Sequence, residues 1–140
     1  MNNMRILLLT GILAVGLMCS GGYAGLLPTE ALQAATSFCR KIDQAEFDAA
    51  YNSASPLLRL AQERGDFTNS VRKSQQLLGA VQQRTLSAVR SVTTFPHLPD
   101  GDYLVVQFTA RTPLKQEARE VLLLKQEADG SWQVSDYAIR

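Results

Sequence analysis

Residues 103–111 read Tyr-Leu-Val-Val-Gln-Phe-Thr-Ala-Arg, and residues 119–125 read Arg-Glu-Val-Leu-Leu-Leu-Lys. In the first run Leu104, Val106 and Phe108 fall on one side and Tyr103, Val105 and Gln107 on the other, the two-residue period of a β-strand. The second run leads through Asp129-Gly130, a tight-hairpin dipeptide, into a last strand from Trp132 to Ile139. Both runs are apolar on both sides. One face of such a sheet can meet helices, so the other must be a pocket wall or a surface that pairs with another chain.

Upstream, Val81 to Val92 mixes β-branched and small residues with Gln82, Arg84 and Arg90, which suits a strand wetted on one side. Between it and Tyr103, Pro96-His97-Leu98-Pro99-Asp100-Gly101 is a loop, because two prolines and an Asp-Gly interrupt any ladder. Before Gly79 the period is helical. Ala31, Ala35, Phe38, Cys39 and Ile42 share one arc of a helix over Thr29 to about Asp43, with Glu30 in its first turn. Phe47, Ala50, Tyr51 and Ala54 continue the spacing, and Ser55-Pro56 reads as an N-cap followed by a first-turn proline. Leu57, Leu60 and Ala61 give that helix its apolar face, with Gly65 as its expected end; a further helix is expected from about Thr68 to Leu78, with Gly79 as its stop. Helices followed by antiparallel strands predict an α+β fold, two or three N-terminal helices packed on a curved sheet of about four strands.

The first two dozen residues carry a different message. Arg5 precedes the thirteen-residue apolar run Ile6–Met18, and Gly22-Tyr23-Ala24 fits the small-x-small site of a signal peptidase. The run is short of the ~20 residues that span a bilayer. Residues 1–24 are therefore expected to be a signal peptide cut after Ala24, leaving residues 25–140 as one exported, periplasmic domain with no membrane span. An uncleaved anchor is the alternative. Lipid attachment at Cys19 is disfavoured, because Met18 stands where a lipoprotein signal has Gly, Ala or Ser. Without Cys19 the only thiol is Cys39, on the apolar arc of the first helix, where it reads as a small buried hydrophobe rather than a nucleophile.

Removing residues 1–24 leaves 116 residues with 13 basic and 13 acidic side chains. That balance excludes nucleic-acid binding driven by bulk charge. The charge is uneven along the chain: residues 25–71 sum to −2, 72–119 to +4 and 120–140 to −2. The central block, with Arg72, Lys73, Arg84, Arg90, Arg111, Lys115 and Arg119, either meets an anionic ligand or partner or simply solvates sheet edges.

The sequence assigns no catalytic, cofactor-binding or metal-ligating residue. One histidine, His97, and one buried thiol fall short of a transition-metal site, and neither a phosphate loop nor a nucleophile elbow is present. Asp43, Asp48, Asp102 and Asp136 offer carboxylates, and Tyr51, Tyr103 and Tyr137 hydroxyls, without forming a motif. Trp132, directly after the hairpin turn, is either a core plug or a stacking surface at a cavity mouth. Arg84, Tyr103, Trp132 and Tyr137 are the candidate pocket or partner contacts.

Several phrases belong together: Phe38 with Ile42-Asp43, Phe47-Asp48-Ala49-Ala50-Tyr51, Ala54-Ser55-Pro56, Leu78-Gly79 then Arg84, Leu98-Pro99-Asp100-Gly101-Asp102-Tyr103, Glu120-Val121, and Asp129-Gly130-Ser131-Trp132 before Tyr137. In order and spacing they resemble the domain-of-unknown-function 4019 family of exported bacterial proteins, over about residues 30–140. The resemblance implies a cone like that of nuclear transport factor 2 (a cystatin-like layout) and brings no activity or catalytic residues. It also implies a Gly before the last Tyr, where this chain has Asp136. The expected function is a non-catalytic binding or interaction module of the bacterial envelope, with a homodimer through the sheet or a small apolar or anionic ligand as its partner. The alternative is a small isomerase or hydrolase that uses an acidic residue in an apolar cone.

Overall fold

The computed structural model describes residues 27–140, so the expected leader, its expected cleavage site and Cys19 lie outside the described residues. Among the described residues four helices come first: α1 Thr29–Asp43, α2 Phe47–Ser53, α3 Pro56–Ala61 and α4 Arg64–Leu78. Four strands follow: β1 Gln83–Val92, β2 Tyr103–Arg111, β3 Ala118–Gln126 and β4 Trp132–Ile139. They form one open antiparallel sheet in the order β1-β2-β3-β4, with the helices packed against it, an α+β fold.

The helix boundaries have local causes. α1 buries Ala31, Ala35, Phe38, Cys39 and Ile42, the arc read from the sequence. It stops in a Schellman arrangement: the Glu46 N–H donates to the Lys41 carbonyl at 2.8 Å and the Ala45 N–H to the Ile42 carbonyl at 3.1 Å. Ala45 adopts φ 59° there, a left-handed conformation that glycine takes more readily. α3 opens as expected, with the Ser55 hydroxyl accepting from the Leu57 N–H. The expected end of α3 is corrected. It stops at Ala61 because Gln62 is extended, and the Tyr51 hydroxyl donates to the Gln62 carbonyl at 2.7 Å. Gly65 instead lies in the first turn of α4, which begins at Arg64 rather than Thr68. A glycine is tolerated in that turn, since the first N–H groups of a helix have no partner within it. β1 starts at Gln83, and Val81 packs beside Ala110, Ala118 and Ile139 at the sheet end.

Two bulges decide which residues face the helices. In β1, Leu86 pairs with Phe108 and Ala88 with Gln107, which leaves Ser87 as an extra residue. In β4, Val134 pairs with Leu124 and Asp136 with Leu123, which leaves Ser135 extra. Each extra residue reverses the alternation beyond it. The inner face therefore carries Arg84, Leu86 and Val89 from β1, and Trp132, Val134, Tyr137 and Ile139 from β4.

Against this face Phe38, Ile42, Tyr51, Leu58 and Phe67 pack onto Val106, Phe108, Leu122, Leu124 and Val134. The outer face carries a second cluster of its own. Phe95 and Leu98 from the β1–β2 connection, with Leu57, join Tyr103, Val105, Val121 and Leu123. At the far end Gly79, at φ +81°, lets the β2–β3 connection close on α4, and the Leu114 N–H donates to the Leu78 carbonyl at 3.2 Å.

Gly79→Ala is expected to destabilise the protein by roughly 1–3 kcal/mol, since a Cβ there would stand 2.9 Å from the Pro113 Cδ on a positive-φ backbone. Ala45→Gly relieves the same kind of strain and should stabilise by up to about 1 kcal/mol; urea denaturation of both variants checks the opposite signs.

Candidate functional site

The inner face holds one buried charged network. Glu120, fully buried, sits in mid-sheet opposite Phe108 and Ile139. Arg84 on β1 lies opposite Ala110, which in turn pairs with Ala118 on β3. These two small residues leave the guanidinium room to cross β2 and reach Glu120. Its Nε donates to Glu120 Oε2, and its Nη2 to Oε1 at 3.2 Å. The same guanidinium grips Asp43, the last residue of α1, through two hydrogen bonds of 2.9 Å. Tyr137 completes the set: its hydroxyl donates to Glu120 Oε1 at 2.8 Å, and its ring lies 5.5 Å from that of Phe38.

The electrostatics follow from burial. The Tyr137 hydroxyl is pushed well above the usual phenol range, first by burial and then by the Glu120 charge. Burial likewise pushes the Cys39 thiol up, with Glu120 adding to the effect. For Arg84 burial opposes the charge, but the hydrogen bonds to Asp43 and Glu120 outweigh it. A protonated thiol is a poor nucleophile, and a carboxylate with both oxygens engaged is a poor base. The network acts as a latch between α1 and the sheet.

Beside the latch lies a groove of about 550 Å³ between α4 and the outer edge of β4. Phe67, Val71 and Leu77 line one wall and Tyr137 and Ile139 the other, with Lys73 and Arg140 among the polar residues of its lining. Gln62 also lines it, and its buried side-chain oxygen has no hydrogen-bond partner among the described residues.

The family described as "protein of unknown function (DUF4019)" matches residues 34–137, nearly all of the described chain. The chain belongs to that family. No curated protein matches it. Among solved structures, the DUF4019 chain is similar to one from Catenulispora acidiphila, 13% identical with a TM-score of 0.45, covering 79% of this chain and 88% of that one.

Within the DUF4019 chain, the structure brings together two of the four residues singled out by sequence. Arg84 and Tyr137 meet on Glu120, and Tyr137 also lines the groove. Tyr103 is elsewhere, fully buried on the outer face, where its hydroxyl donates to the Pro99 carbonyl at 2.6 Å and its ring meets Phe95 edge-on. Trp132 packs, partly buried, against the main core at the hairpin end of β4. Asp136, the family's expected glycine position, lies on the outer face beside the bulge and accepts from the Tyr137 N–H at 2.9 Å.

Glu120 is the residue that sequence reasoning missed. Its signal was present: it shares the parity of Leu122 and Leu124, so a carboxylate was aimed into an apolar face. Among the described residues, no helix is long and apolar enough to cross a membrane, and no three His, Cys, Asp or Glu side chains gather as metal ligands.

Removing Arg84 strands a buried carboxylate. Arg84→Met should therefore cost about 3–5 kcal/mol, and Arg84→Met/Glu120→Leu should recover most of it, whereas Asp43→Asn, at a partly exposed site, should cost about 1 kcal/mol. Urea midpoints test that order. The pH dependence has a definite sign. Unfolded, Cys39 and Tyr137 ionise near pH 9.0 and 10.0; folded, both keep their protons to higher pH. The unfolded state then binds fewer protons, so stability falls as pH rises above 9.0, and Tyr137→Phe should flatten the decline above 10.0.

Proposed function

We propose that this is an exported, non-catalytic binding module of the bacterial envelope, a cone of the nuclear-transport-factor-2 kind that takes a small apolar anion in the groove between α4 and β4. The observation that carries this reading is the groove itself: about 550 Å³, walled by Phe67, Val71, Leu77 and Ile139, with two cations, Lys73 and Arg140, against one carboxylate, Asp136, in its lining. Apolar walls with a few polar groups are the usual make-up of a ligand site. Against the enzyme alternative stands the engagement of the one fully buried carboxylate described, Glu120, by Arg84 and Tyr137. A homodimer through the sheet is less needed than the sequence suggested, because Phe95, Leu98 and Leu57 already join the apolar cluster of the outer face.

Dodecanoate is a suitable probe. At one hundred times its dissociation constant it should stabilise the protein by about 2.7 kcal/mol, read as a rise in melting temperature. Ser70→Trp, which fills the groove from an exposed position of α4, should abolish the rise without lowering the melting temperature of the free protein. No rise with the unsubstituted chain, or an equal rise in the variant, removes the groove as the site.

A further inference from the structure

At the end of the sheet marked by Gly79, two large apolar side chains stand in solvent. Leu77, in the last turn of α4, is 66% exposed, and Leu114, in the β2–β3 connection, is 69% exposed. They belong to one corner, because the Leu114 N–H is bonded to the Leu78 carbonyl and Pro113 lies against Gly79. Beneath them Ala110, Ala118 and Ile139 pack with Leu78 and Val81, which gives both segments a fixed base.

The charges around this corner are mostly positive. Lys73 is one helical turn before Leu77, and Lys115 directly follows Leu114; both are exposed. Arg111 ends β2, and Arg119 and Arg140 lie side by side through backbone hydrogen bonds of 2.7 and 2.9 Å. Against these five cations stand Glu117 and Asp136, which lines the groove with Leu77, Lys73 and Arg140, while Asp43, beside Leu78 and Gly79, is engaged by Arg84. A second copy of the chain would bring like charges together here, so self-association through this corner is disfavoured. An anionic bilayer offers what the corner lacks: a plane of negative charge for the cations and hydrocarbon for the leucine tips.

We infer that this corner docks on an anionic lipid surface, Leu77 and Leu114 entering the interface while Lys73, Lys115 and the neighbouring arginines hold the headgroups. The chain from Gly25 onward keeps every described helix, strand and cluster, so its binding can be read by co-sedimentation with vesicles of phosphatidylcholine alone or with one part in about three of phosphatidylglycerol. Partition is expected into the anionic vesicles only, with release by about 0.5 M salt. Lys73→Glu/Lys115→Glu should weaken it at least about 25-fold, at about fivefold per cation removed. Leu77→Gln/Leu114→Gln, which leaves the net charge unchanged, should weaken it at least tenfold, an effect bulk charge alone would not give without the apolar tips.

Arg40→Glu/Arg59→Glu makes the same charge change at exposed sites on α1 and α3, and should keep binding within about threefold. Absence of binding to anionic vesicles at low salt overturns the inference. So does equal partition into neutral vesicles, or an equal loss in the Arg40→Glu/Arg59→Glu control. All these positions are exposed, so unchanged melting temperatures separate lost docking from lost folding.

Discussion

The guanidinium of Arg84 is the point on which the two halves of the molecule depend. It bonds the last residue of α1 on one side and the buried Glu120 of β3 on the other, crossing β2 over Ala110. A carboxylate without a counter-charge in that setting would be costly, so the helix end, three strands and the Tyr137 hydroxyl are fixed relative to one another. Neither end of the link is local. Asp43 and Arg84 are separated by 41 residues, and Arg84 and Glu120 by 36.

That latch shapes the neighbouring groove. Tyr137 has its hydroxyl on Glu120 and its ring against Phe38, so the β4 wall of the groove is held by the same network that holds α1. The opposite wall, α4, is tied down at both ends: Gln62 by Tyr51 before it and Gly79 by the β2–β3 connection after it. A groove with both walls anchored is preorganised, and a ligand entering it loses less ordering entropy on binding. The basic corner at the groove's end inherits the same rigidity, because its two exposed leucines rise from segments closed on one another by the Leu78–Leu114 hydrogen bond.

Much of the fold was legible in the residues because its causes are local. The alternation of residues 103–111, the Asp129-Gly130 turn, the Ser55-Pro56 cap and the arc of α1 each depend on neighbours within a few positions. Gly65 shows where local reading stops. A glycine is a good helix terminator and is also tolerated in a first turn, and only the packing of Tyr51 on Gln62 chose between the two. The end of α1 near Asp43 was legible in its apolar arc, but the cause of the break was not, since Ala45 takes the left-handed conformation that a glycine would have advertised.

The sequence by itself determined the order of helices and strands, the apolar faces of α1 and β2, a zero net charge over residues 25–140 with a basic centre, and the lack of any catalytic or metal motif. Tertiary structure alone decided which face Arg84 and Tyr137 would join. A strand's parity is local, but a bulge is a slip of one residue against a partner strand, and it is settled only when the strands pair. Ser87 turns Arg84 and Val89 to the same side, and Ser135 turns Tyr137 in and Asp136 out. Those two slips place an arginine and a tyrosine on one buried glutamate, a meeting that no spacing along the chain encodes.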